Sequence, residues 1–350
     1  MYCPKCGTEN PDDAQLCRAC GAELTPSPSP PTAEDIVPRR SGLAIAALVL
    51  GILSIFTCGL TAIPAIALGI IGLVSIEKSG GALTGRVFAA LGVVIPVLVF
   101  FGLFVLLMPA LQRVKKQAQA VACRSRLKQW GLFFAMYTSD NDGYFPAATS
   151  DGHPGYWMDA LRGYYANDRD LRCCPTATEP VIDEYGQPTA RRSVFSAWGI
   201  FIGEGSAPEG DWGSYGMNGW VQKPTPQQDM VYGRFEAANH WGTPNVPGAG
   251  SIPVFMDALH FRVFPRHTDN PPDTQDMAWE SIQQMQRVCI NRHDGFGNSL
   301  FMDWSVRKVG LKELWTLKWH RAYNTEGPWT KAGHVQSDDW PPWMKNFRDY

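Results

Sequence analysis

The 350-residue chain carries no charged side chain between residues 41 and 76, and none between 87 and 112. It has no tryptophan before Trp130 and no histidine before His153, although it holds thirteen Trp and seven His. A single water-soluble core does not sort its composition into such blocks, so a one-domain globular reading is excluded. The formal net charge of -2 excludes a nucleic-acid footprint spread over the whole surface. No G-x-S-x-G, H-E-x-x-H or phosphate-cradling glycine loop occurs, so nothing specific points to an enzyme. No apolar run precedes Leu43, so no cleavable signal peptide is expected.

What is present begins with cysteine. The chain opens with C-P-K-C-G and, with ten residues between Cys6 and Cys17, continues to C-R-A-C-G. Each C-x-x-C puts two thiolates on one tight knuckle, and Gly7 and Gly21 let the backbone turn under a metal. Two knuckles complete a tetrahedral zinc site of Cys3, Cys6, Cys17 and Cys20, closed and therefore structural. A module this short has little core, so metal binding supplies its folding energy. Two disulfides or a redox pair are the competing readings. A cytosolic N-terminus disfavours disulfides, and the βαβ unit that normally carries a redox C-x-x-C is missing. Residues 1–24 resemble the short zinc ribbons that begin many bacterial membrane proteins. Lys5 and Arg18 are too few for a nucleic-acid surface, so no nucleic-acid partner is expected.

Residues 25–40 read as an extended Pro/Ser-rich linker ending in Arg39-Arg40, a positive-inside signal. A continuous helix over residues 41–76 would be about 54 Å long, against roughly 30 Å of hydrocarbon. Thr57-Cys58-Gly59 and Pro64 therefore predict a hairpin of two short helices, with one long tilted helix as the alternative. Ala44, Ala47, Gly51, Ala65, Gly69 and Gly72 would let the two backbones approach closely. The loop at 77–86, with Lys78 and Arg86, then falls on the cytoplasmic side. The block 41–86, with its S-G-G-A-L-T-G-R loop, resembles an uncharacterised bacterial membrane domain often found behind zinc ribbons, which implies no activity. Residues 87–143 predict a transmembrane helix, a third crossing, continuing into a soluble one, kinked at Pro96 and Pro109. Cys123, Leu127, Trp130, Phe134 and Tyr137 form its apolar seam. Asp140-Asn141-Asp142-Gly143 reads as a helix-ending turn rather than a calcium loop, because the distal Glu is missing. Residues 144–350 read as an α+β domain, with strands in 193–202, 252–256 and 299–302 and a short helix in 311–320.

Several segments of the second half carry a resemblance. They are the helix from Leu106 to Tyr137 with its S-D-N-D-G-Y-F-P turn, L-R-C-C-P (171–175), S-Y-G-M-N-G-W (214–220), I-P-V-F-M-D (252–257) and N-R-H-D-G-F-G-N-S-L-F-M-D-W-S-V (291–306). Together, over about residues 103–320, they resemble type II secretion pseudopilin-like proteins, in the prepilin-type group named for a C-terminal His, nine residues, then Asp-Gly. His293 and Asp303 occupy that spacing as structural residues, while Trp304 replaces the Gly. The resemblance implies a long pilin-like N-terminal helix packed on an antiparallel sheet, outside the cytoplasmic membrane. The leader-peptidase site and the Glu of the mature helix have no counterpart, which argues for a permanent anchor rather than filament entry.

The remaining candidates divide between chemistry and packing. His293, Asp294 and Asp303 suggest a metal or acid–base group, but a hydrogen bond between His293 and Asp303 across a hairpin is the simpler reading. Cys123, Cys173, Cys174 and Cys289 are disulfide candidates with open connectivity. Trp212, Trp220, Trp241, Trp329, Trp340 and Trp343 offer an aromatic surface for glycans, or fill a thin core. The expectation is a non-enzymatic, multi-pass protein of the inner (cytoplasmic) membrane, touching lipid and envelope or secretion-system proteins. Its zinc ribbon is cytoplasmic and its C-terminal domain periplasmic. The alternatives are an extracytoplasmic glycan-binding or hydrolytic domain, and a signalling protein with a zinc-ribbon recruitment module.

Overall fold

The computed structural model describes residues 1–24, 39–57, 59–80, 82–150, 153–154, 156–182, 184, 193–201, 210–275 and 283–350. Most of the linker and Cys58, at the expected break, lie outside the described residues. Two compact units emerge, Met1–Leu111 and Gln112–Tyr350. The fold is mixed α/β, with a zinc ribbon and antiparallel sheets.

In the first unit the uncharged stretch forms helices α1 (Gly42–Phe56) and α2 (Ala62–Lys78). Helix α1 starts where the Ser41 hydroxyl accepts from the Ala44 N–H, a cap for an otherwise unpaired donor. Helix α3 runs unbroken from Arg86 to Asp140 through Pro96 and Pro109. Its first turns pack on α1 and α2 through small residues. A Cβ on Gly92 would lie 2.7 Å from Ala47, and one on Gly69 2.6 Å from Val93. The buried positions of α1 are Ala44, Ala47, Gly51 and Ser54; those of α2 are Ala62, Ala65, Gly69, Gly72 and Ile76. Both rows step by three and four, so small residues line one seam. The large apolar side chains face outward instead: Phe56 is 79 %, Ile63 80 % and Leu98 65 % exposed. Only α3 is long and apolar enough to cross a membrane among the described residues; α1 and α2 have 15 and 17 residues. Arg39–Arg40 pairs in parallel with Leu83–Thr84, which ties the start of α1 to the start of α3.

In the second unit Cys123, Leu127, Trp130 and Phe134 are fully buried and Tyr137 half-buried, one stripe of α3. The helix stops at Asp140 because Asp142 and Gly143 turn into the left-handed region and Gly143 N–H returns to Thr138 O. The stripe packs on a five-stranded sheet whose central strand is Pro253–Asp257. Tyr215–Asn218 and Phe296–Phe301 flank that strand antiparallel; Arg262–Val263 joins one edge in parallel and Val306–Gly310 the other antiparallel. Alternation along the strand puts Phe255 and Asp257 on the helix face and Met256 on the other. The Trp130 ring sits 4.9 Å from Phe255 and 5.0 Å from Trp157 of α4 (Trp157–Tyr165). Met256, Phe301 and Val309 meet a second core of Trp315, Trp319 and Trp340 on the opposite face.

The tail departs from expectation. The helix expected over 311–320 is a single 3-10 turn, Lys312–Thr316. Glu313 is drawn back to the Gly310 N–H and Arg307, and the indoles of Trp315 and Trp319 are satisfied by the carbonyls of Asp269 and Leu314. Burying both indoles this way turns the chain before a second α-turn can form.

Candidate functional site

The N-terminal ribbon is built from two copies of one knuckle. Gly7 N–H bonds Cys3 O at 2.9 Å, and Gly21 N–H bonds Cys17 O at 2.9 Å. Both glycines lie in the left-handed region, at φ 74° and 71°, where a side chain would be strained. The sulfurs of Cys3 and Cys20 are 3.7 Å apart and those of Cys6 and Cys17 3.5 Å. Tetrahedral Zn–S bonds require about 3.8 Å, so the four-cysteine cluster fits zinc. The N–H groups of Ala19 and Cys20 hold the Cys17 thiol down at about 6. The Ala22 N–H favours a Cys20 thiolate, but Cys6, burial and Cys3 push that thiol up to about 12. A dication among the sulfurs relieves that competition. The Asn10 side chain braces the site, donating to Cys17 Sγ at 3.6 Å and accepting from the Arg18 N–H.

A second cluster lies in the C-terminal unit. Donor atoms of Cys123, Cys174, Asp257 and His293 all lie within 4.8 Å of one another, and all four residues are buried. Each comes from a different segment. Helix α3 brings Cys123, the turn after Asp170–Arg172 brings Cys174, the central strand brings Asp257, and the turn before Phe296–Phe301 brings His293. His293 Nε2 is 3.4 Å from Cys174 Sγ and 3.3 Å from Asp257 Oδ2. Cys123 Sγ is 3.6 Å from that same oxygen. Burial, Cys174 and Asp257 raise the Cys123 thiol well above its ordinary value. Burial opposes charge on Cys174 too, but Cys123 and His293 bring its thiol to about 6. Burial also opposes charge on His293, which Asp257 and Cys174 push up to about 10. Asp257 is buried as well, yet His293 and Arg292 hold its carboxyl well below the usual range.

This geometry corrects several expectations. His293 and Asp303 do not meet: they lie beyond opposite ends of the strand Phe296–Phe301, about 20 Å of extended chain. Asp303 instead accepts from the Ser305 N–H and hydroxyl in the hairpin turn, where Trp304 takes φ 64°. Asp294 is exposed and faces Lys116 at 3.4 Å. Among the described cysteines none is bonded to another. Cys173 and Cys174, adjacent in sequence, point apart, Cys173 toward Thr178 O. Cys289 is in the opposite core beside Met344, away from Cys173 and Cys174. Trp212, Trp220 and Trp340 are buried and Trp241, Trp329 and Trp343 partly so, because their rings fill core rather than form a platform. The Asp140–Gly143 turn engages its own helix: Asn141 donates to Tyr137 O, and Asp140 accepts from Tyr164.

Sequence reasoning had two of the four donors as disulfide candidates and a third as a family-motif residue. It missed Asp257, and it missed their convergence. The only signal was that a carboxylate ends the otherwise apolar run I-P-V-F-M-D.

Two family models match the chain. Residues 2–24 match a zinc-ribbon domain, and residues 43–107 match a domain of unknown function (DUF4190). The second match runs past residue 86 into α3, where Ala89 and Gly92 pack against α1 and α2. No curated protein matches the chain. No solved structure matches it either. The N-terminus is a zinc ribbon, and the pseudopilin resemblance finds no support in these comparisons.

Proposed function

We propose that the chain is a non-enzymatic envelope protein held in the inner membrane by residues 42–107. It displays a pseudopilin-like domain outside and a zinc ribbon in the cytoplasm, and acts through protein contacts in secretion-system or surface assembly. The observation that carries the membrane placement is the inverted packing of the first unit. Ala44, Ala47, Ala65 and Ala89 are fully buried, while Phe56, Leu60, Ile63 and Leu106 face outward at 75 % exposure or more. In water that arrangement wastes the apolar surface; in lipid tails it costs nothing and lets backbones touch. Helices α1 and α2 rise about 22 and 26 Å, short of roughly 30 Å of hydrocarbon. Whether or not the tip at Leu60 reaches the far headgroups, the hairpin returns the chain to its starting side. Helix α3 then makes one full crossing, and its charge-free run of 26 residues (87–112) is long enough.

The sidedness follows from charge. Arg39, Arg40, Lys78 and Arg86 gather at the paired base of the hairpin, while Thr57, Leu60 and Thr61 at the tip are uncharged. The basic residues after Arg113 point the other way, but two are spoken for: Arg126 donates to Cys173 O at 2.6 Å and Lys116 faces Asp294. Labelling of cysteines placed at Ser29, Lys78 and Ser251 by a membrane-impermeant maleimide tests this. Only the Ser251→Cys chain should label in intact cells. Protection of that position until lysis would place the domain in the cytoplasm and overturn the reading.

A further inference from the structure

We propose that Cys123, Cys174, Asp257 and His293 form a second zinc site, a structural clamp at the centre of the C-terminal unit. A tetrahedral ion with two sulfur, one nitrogen and one oxygen ligand sets ligand–ligand separations of roughly 3.3 Å for N to O and 3.5–3.6 Å for S to N or O. The observed values are 3.3 Å from His293 Nε2 to Asp257 Oδ2, 3.4 Å from Cys174 Sγ to that nitrogen and 3.6 Å from Cys123 Sγ to the carboxylate oxygen. A donor set of this type and shape selects zinc among the common divalent ions.

The surrounding groups are those a metal site needs. Arg292, whose side chain is fully buried, faces Asp257 Oδ1 at 3.4 Å, while Oδ2 is the oxygen nearer Cys123 and lies 3.3 Å from His293. The same guanidinium is fixed by the carbonyls of Val194, Ser214, Ser196 and Ala258. Asn298 N–H donates to Asp257 Oδ2 at 3.0 Å, fixing the ligand oxygen, and Tyr215 Oη–H donates to Cys123 Sγ at 3.2 Å. Charge closes as well: two thiolates and one carboxylate sum to minus three, and Zn²⁺ with Arg292 sums to plus three. Binding releases the protons that the donor set carries, the histidine's included, and leaves no uncompensated charge in the core. With four protein ligands, all buried, the site has no open position for substrate, so its role is to pin helix, turn and two strand ends together. An open cavity of about 360 Å³ reaches His293 between Gln117, Val121 and Arg124 of α3 and Phe296, giving the ion a way in.

The test is independent of topology. Full-length chain is purified in detergent without added metal or reductant, with free thiols blocked in an aliquot at lysis, and zinc is counted per chain. Two ions are expected in the parent chain, one in a Cys3→Ser/Cys6→Ser chain that keeps every second-site donor, and one in a Cys123→Ser/His293→Ala chain. Cobalt added to the Cys3→Ser/Cys6→Ser chain should give tetrahedral d–d bands with thiolate charge transfer. One zinc in the parent and none in the Cys3→Ser/Cys6→Ser chain, with no cobalt spectrum, overturns the proposal. So does a Cys123–Cys174 disulfide in the blocked aliquot. A Cys123→Ser/His293→Ala chain that fails to fold does not spoil the test, because the Cys3→Ser/Cys6→Ser chain answers alone.

Discussion

Residues 42–107 and the sheet unit after Gln112 obey one rule with opposite results. In the first, Ala and Gly turn inward and Leu, Ile and Phe outward; in the second, five tryptophans are among the largest fully buried side chains. Apolar bulk goes wherever water is not. In an aqueous domain that place is the core, and within lipid it is the outer surface. On the membrane reading proposed above, the contrast follows the solvent of each region more directly than hydropathy, which is high for any buried helix. It also says which substitutions each region will feel.

The largest expected effect is Trp130→Ala. The ring meets Phe133, Phe134, Trp157, Tyr165 and Phe255, and its N–H donates to Leu171 O at 2.6 Å. Its loss should cost about 3–5 kcal/mol. The matched change Ile63→Ala, on a side chain 80 % exposed, should stay within about 0.5 kcal/mol. Denaturant unfolding followed by tryptophan fluorescence reads the cost at Trp130, since every tryptophan lies at or beyond it, and hydrogen exchange over residues 42–78 in detergent reads the cost at Ile63. Equal costs at the two positions would break the comparison.

Acid should act on the second unit through two buried imidazoles. His240 and His320 flank Trp220, with ring centroids at 5.2 and 4.6 Å. Burial lowers both to about 4, helped by Arg262 beside His240 and by His267, Lys318 and Arg266 around His320. A depressed folded pKa means the unfolded chain binds protons first. The stability these rings contribute is whole above pH about 6.5 and is lost as pH falls toward 4. The slope should be at most about 1.4 kcal/mol per pH unit for His240, and less for His320, whose ring is nearer solvent. A His240→Gln/His320→Gln chain should flatten the melting-temperature slope over that window. An unchanged slope would assign it to carboxylates instead.

How much of this was legible follows from how local each feature is. The ribbon was readable because its four ligands and two glycines fall within one short stretch and each residue's need is local. The seam from Cys123 to Phe134 was readable for the same reason, a helical period that survives without tertiary information. The two-helix hairpin could be inferred from a length that no single crossing uses. The second cluster was not legible, because strand pairing and helix–sheet packing alone bring Cys123, Cys174, Asp257 and His293 together. The tail misled for another reason: its L-K-E-L-W-T pattern has helical period, but burying Trp315 and Trp319 outweighed propensity.

Within the lipid-type region the sensitive positions should be the smallest side chains. Gly92→Leu would drive atoms into Ala47, where even a Cβ lies at 2.7 Å, and should cost about 1–3 kcal/mol. Leu98→Ala, on the outward face, should cost nearly nothing. Hydrogen exchange over 42–78 in detergent reads the difference: faster exchange for Gly92→Leu, none for Leu98→Ala. If Leu98→Ala loosens the helices as much, the bundle is packed on its large residues and is not an inverted one.

The smallest effect on the rest of the molecule should come from the ribbon. Cys17→Ser removes one ligand and the acceptor that Asn10 holds, and a module this short has no core to fall back on. The chain should lose one zinc ion, and protease should then cut within residues 1–24, which the loaded ribbon resists. The tryptophan-reported melting temperature should move by less than about 1 °C, because nothing in the second unit depends on this metal. A larger shift would mean that the two ends of the chain share stability, and the contrast between its regions would need a coupling term.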